Sequence, residues 1–191
     1  MRVHFENDTI SAIGRAAHDV GLGTIVGSKL FAEVGWHPAL REVSDERERG
    51  RVTNEAWRRY GVVNGMALAS IVGGWLGARA YEAKPDKLTD RERKIAVAKD
   101  VLTGVIATSG IAAGLLGMRF HELAEDGAVP LRDGDHASGH ASDDAKRTKR
   151  ALFVLGRVQL ASALTLGVVQ AGMAQVNYRR PPLKRVFRRT Y

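Results

Sequence analysis

The chain has 191 residues, of which 45% are hydrophobic and 26% charged, with a formal net charge of +8 and no cysteine. That length suits one compact unit, and the missing cysteines exclude disulfides, thiolate chemistry and cysteine-ligated metal. The mean hydropathy of −0.19 resembles that of a soluble protein, but the average hides a sorting of residues. Residues 60–78, 101–118 and 158–178 contain no Lys, Arg, Asp or Glu. At about 1.5 Å rise per residue, 18 to 20 helical residues cross the roughly 30 Å of a hydrocarbon core. The pattern therefore predicts an all-α, integral membrane protein. In a soluble chain the basic balance would point to nucleic acid. Here the positive-inside rule accounts for it, and nucleic acid is not expected as a partner.

In chain order, residues 1–15 include Glu6 and Asp8 and lack a continuous apolar core, so no cleavable signal peptide is expected. A first span is read at 16–36, although it holds His18, Asp19, Lys29 and Glu33. Lys29 and Glu33 are four apart and share a face, close to an end where long side chains reach the interface. The alternative is a soluble amphipathic helix covering the other three, which would leave three spans and move the N-terminus across the membrane. A second span follows at 60–80. Thr89 and Glu92 fit a capping box, so the third helix should begin near Asp90, with its span at 99–119. Ser142 and Asp143–Asp144 start the fourth helix, with a span at 153–176 that Pro181 and Pro182 end. Residues 1–180 form one membrane domain and 181–191 a basic tail.

The tail region carries Arg179, Arg180, Lys184, Arg185, Arg188 and Arg189 without an acid. It is expected in the cytoplasm, on anionic headgroups or an acidic partner, with the N-terminus and the 81–98 connection on the same side of the cell membrane. The other two connections, mixed in charge, become external. Trp36, Trp57 and Tyr60 mark one interface, Tyr81 and Tyr178 the other.

Small residues recur four apart at Gly23/Gly27, Gly61/Gly65, Gly73/Gly77 and Gly110/Gly114, which predicts close helix packing. Ala17-His18-Asp19-Val20 resembles Ala98-Lys99-Asp100-Val101, and Leu68-Ala69-Ser70 matches Leu160-Ala161-Ser162. Two parallel helix-hairpin repeats would explain both matches.

Three groups of residues could carry chemistry. His18, Asp19, Lys99 and Asp100 fall at similar depth near the cytoplasmic side. Ionisable groups inside a membrane line a site or pair with one another, and a His among carboxylates can relay protons. The pairing Asp19–Lys99 with His18–Asp100, fixing register alone, is the preferred reading. On the external side Lys29, Glu33 and Arg157 form a second polar group, with Glu33 the expected partner of Arg157. Gln159, Gln170, Gln175 and Asn64 add a polar interior. Last, His37, His121, His136 and His140 sit externally, where imidazoles and acids suit Zn or Cu, or a haem between His37 and His121. No such cofactor is predicted, because the spacing forms no closed ligand set and Gly134 and Gly139 make the 133–140 segment a mobile loop.

No nucleophile motif, phosphate loop or dinucleotide fingerprint is present, and no enzyme is expected. The expectation is an accessory or scaffolding component of a membrane assembly, self-associating or part of a larger complex. A small transporter or channel using the His/Asp/Lys cluster is the alternative, and metal or haem binding the third.

Overall fold

The computed structural model describes residues 2–81 and 83–178, with side chains within 12–175 apart from 82 and 87. The basic tail of 181–191, with Arg179 and Arg180, lies outside the described residues. The described residues are all-helical, 85% helix with no strands among them. α1 runs from Arg2 to Phe31 and continues through a π-helical turn, Ala32–Trp36, into a last turn, His37–Ala39. α2 is Glu46–Tyr81, α3 is Asp90–Glu122 and α4 is Asp143–Tyr178. All extend well beyond the spans read from the sequence, because their ends are polar turns that continue the helix outside the apolar stretch.

Local chemistry explains the ends. Thr89 Oγ1 accepts from the Glu92 N–H while the Glu92 carboxylate accepts from the Thr89 N–H at 2.8 Å, a complete capping box. Ser142 Oγ accepts from the Ala145 N–H at 3.2 Å and starts α4. The π turn precedes Pro38, whose ring would collide with the carbonyl four residues back in a regular helix. The His37 N–H instead donates to the Ala32 carbonyl, five residues back.

The four helices alternate in direction. α1 packs along α2 and α3 along α4, with narrower seams between α2 and α3 and between α1 and α4. Leu22 and Ile25 of α1, Ala67 and Ile71 of α2, Ile106 of α3 and Ala163 and Leu166 of α4 form the central core. The end carrying residues 37–45 and 123–142 is here the cap end; the opposite one, with the α2–α3 connection, is the tail end.

α2, α3 and α4 are each long and apolar enough to cross a membrane. Their outer faces are apolar as well: Val62, Met66, Leu115 and Val168 are largely exposed. So much outward hydrophobic surface suits lipid rather than water. α1 falls outside this group because His18, Asp19, Lys29 and Glu33 interrupt its apolar residues.

Two expectations are corrected. Most of the four-spaced glycines do not pack helices together: a Cβ added at Gly23, Gly27, Gly61, Gly65, Gly73, Gly77 or Gly114 would meet nothing within 4 Å. The close approaches fall mostly at other glycines. Gly74 lies against the backbone of Gly14 and His18, Gly21 against Ala67 and Ile71, and Gly110, alone of the expected set, against Gln159 and Leu68. Spacing identifies a stripe of small residues, but not which way that stripe faces.

The 133–140 segment is a tied cap, not a mobile loop. Leu131 and Ala137 pair as an antiparallel bridge, and Val129, Leu131 and Ala141 bury themselves against Phe120 and Ala145. The Arg49 guanidinium donates to the carbonyls of Val43, Ser44, Leu131 and Arg132. One side chain thus satisfies four backbone acceptors that a free loop would leave to water.

Candidate functional site

Near the tail end a polar network joins all four helices. His18 Nδ1 lies 3.2 Å from Asp19 Oδ1 on α1. Gln170 of α4 donates through Nε2 to the same Asp19 oxygen at 3.0 Å and accepts through Oε1 from Lys99 of α3. The Lys99 ammonium sits 4.0 Å from the centre of the Trp75 ring on α2, a favourable cation–π contact. Trp75 Nε1 donates to Asp100 Oδ1 at 2.7 Å, and Arg79 Nη2 reaches Asp100 Oδ2 at 3.1 Å. Arg79 also donates to the carbonyl of Ala83, whose N–H closes the end of α2 on the Ala78 carbonyl.

His18, Asp19, Lys99 and Asp100 therefore share one layer, but with partners other than those expected. Asp19 takes Gln170 and Asp100 takes Trp75 and Arg79, so each acid on the first helix of one hairpin is bonded by the second helix of the other. This cross-pairing accords with a repeat of two parallel hairpins. His18 and Lys99 are buried, while the Asp19 side chain is 55% exposed. His18 Nε2 is buried without a hydrogen-bond partner among the described residues. Trp75 and Arg79 escaped the sequence reading. Their four-residue spacing at the end of the uncharged run of α2 was the available signal, since it places an indole donor and a cation on one face.

At the cap end, Arg157 Nη2 meets Glu33 Oε2 at 2.6 Å and lies 3.8 Å from Asp135 Oδ2. Lys29 lies near Glu33 without a direct ion pair, its ammonium 5.3 Å from the centre of the Trp57 ring. His37 Nδ1 is 2.9 Å from Asp135 Oδ1, close enough for an ion pair but poorly aligned for a hydrogen bond. Glu33, His37 and Asp135 place one potential ligand atom each within 4.8 Å of one another. This donor chemistry suits a divalent cation, yet Arg157 already supplies positive charge to both carboxylates.

The four histidines considered for metal have different neighbours, His37 meeting Asp135. His136 bonds Asp133 at 2.9 Å, His140 Nδ1 lies 3.1 Å from Glu46 Oε2, and His121 lies beside Gly127. Burial raises the Asp133 pKa, but hydrogen bonds from the His136 ring and from the N–H groups of Asp135 and His136 outweigh it and bring it to about 2. Bonds from Ser138 and His140 likewise lower that of Glu46.

Lys149, absent from the sequence reading, is nearly enclosed here and donates to the Gly134 carbonyl at 2.6 Å. Burial lowers its pKa to about 8 against the pull of Asp135 and Asp133. Lys149, Phe153 and Arg157 recur every four residues on α4, and that spacing was the signal for this face. Of the polar interior, Gln159 is buried and reaches the Ile106 carbonyl only weakly, at 3.4 Å, whereas Gln175 is exposed rather than interior.

No protein-family model, curated protein or solved structure matches the chain.

Proposed function

We propose that the chain is a small multi-pass membrane protein with a structural role, self-associating or serving as a subunit of a membrane assembly. One observation carries this reading. Gly61, Gly65, Ala69, Gly73 and Gly77 follow one another at four-residue spacing along α2, all but Gly77 exposed, and the four glycines have no neighbour at their Cβ positions. Small-xxx-small ridges let membrane helices cross closely, and packing there replaces the hydrophobic drive. An unfilled ridge along a whole span suits the helix of a second subunit. Gly65→Leu and Gly73→Leu should leave the monomer folded and reduce the particle mass measured by light scattering in detergent. Unchanged mass in both variants would refute self-association through α2.

In this reading α1 is the fourth span, its polar residues turned toward the two networks, with both termini cytoplasmic. The tail-end network then holds the four helices in register. A second reading, proton or ion transport, is favoured by the buried His18, whose Nε2 has no hydrogen-bond partner among the described residues, in a layer bridging four helices. Its test is flux in vesicles after Asp19→Asn and Asp100→Asn. Flux present in the unaltered protein and lost with assembly intact would replace the structural role.

A further inference from the structure

Asp19 occupies an unusual position. Its side chain is half exposed in the same layer as Lys99 and Trp75, and the partners that bond it are His18 and Gln170, with no guanidinium or ammonium within ion-pair distance of its oxygens among the described residues. It stands at one end of a groove of about 330 Å³ between α1 and α4, lined also by Leu22, Gly23, Val26, Leu164 and Gly167. That volume lies at the low end of small-ligand sites. The groove exists because Gly23 and Gly167 carry no side chains, and a Cβ at either would meet nothing within 4 Å. Along α1, Arg15, Asp19, Gly23 and Val26 fall on one stripe at helical spacing. Asp19 to Val26 spans roughly 10 Å.

We infer that this groove binds a phospholipid whose headgroup carries a primary ammonium. The apolar part, from Leu22 to Val26 and Leu164, takes an acyl chain. The Asp19 carboxylate accepts charge-assisted hydrogen bonds from the ammonium. A trimethylammonium headgroup has no N–H to donate and a glycerol headgroup has no cation, so the carboxylate discriminates among the three. The inference needs α1 in the membrane but not self-association, and the ridge on α2 is not part of it.

The test is native mass spectrometry of the detergent-purified protein with phosphatidylethanolamine, phosphatidylcholine and phosphatidylglycerol of identical chains. Phosphatidylethanolamine should be retained about tenfold better or more, the range of a hydrogen bond to a charged group. Asp19→Asn should abolish the preference with the helical melting curve retained, and Gly23→Leu or Gly167→Leu should block retention of all three lipids. Equal retention by the unaltered protein, or a preference that survives Asp19→Asn, would overturn the proposal. So would a Gly23→Leu variant that changes copy number and leaves lipid retention intact, since the groove would then be a protein interface. Should Asp19→Asn not fold, the lipid preference of the unaltered protein and its loss in Gly167→Leu decide the matter.

Discussion

Asp19 and Asp100 occupy like places in the sequence but differ in what they hold. Asp100 joins Trp75 and Arg79 of the neighbouring hairpin, whereas Asp19 takes one amide and a histidine and is half exposed. Replacing Asp100 by Asn should therefore cost more stability than replacing Asp19, by about 1 kcal/mol given the worth of interhelical hydrogen bonds in membrane proteins. Unfolding in detergent with a graded denaturing surfactant measures both. At the cap end, Lys149 has a pKa of about 8 against an ordinary 10.5. Between those values the unfolded chain holds more protons, so the Lys149 contribution makes stability rise with pH through that window. Lys149→Met should flatten the rise in pH-dependent thermal denaturation. The ionisable residues of the tail-end layer were legible because each breaks an apolar run. Their partners were not: Trp75 sits within an uncharged run, and its donor matters only once α3 lies beside it.

For single helices, the decisive quantity is which face a residue turns inward. Gly73 and Gly74 are neighbours with opposite surroundings: a methyl group at Gly73 meets open space, and one at Gly74 meets the backbone of Gly14 and His18. Gly74→Ala should destabilise by about 1–3 kcal/mol through overpacking, while Gly73→Ala should leave the melting temperature of the monomer nearly unchanged. Thr89→Ala should cost about 1 kcal/mol by removing the capping box of α3, readable in the same melts. Helix starts could be read from the sequence because caps are local, involving residues three apart. The inward face could not, since four-residue spacing describes a ridge on every side of a helix. The cap was misjudged for a related reason. Two glycines suggest freedom locally, but Arg49, some eighty positions away, supplies the bonds that hold the segment.

For the molecule as a whole, the membrane assignment rests on α2, α3 and α4 and their apolar outer faces, with α1 joining them through its packing on α2 and α4. The uncharged runs made this class legible, because the bilayer demands length and purity together. The role of α1, the fourth span in the proposed reading, was harder to read, since its polar residues resolve into networks only when the other helices are present. Absence of native cysteine makes the arrangement directly measurable. Single cysteines placed at Asn7, Asp86 and Gly139 can be probed with a membrane-impermeant maleimide in intact cells, before and after permeabilisation. Four spans with cytoplasmic termini predict labelling of the Gly139 position in intact cells, and of the Asn7 and Asp86 positions only after permeabilisation. Labelling at Asn7 on the same side as Gly139 would remove α1 from the membrane and contradict the four-span bundle.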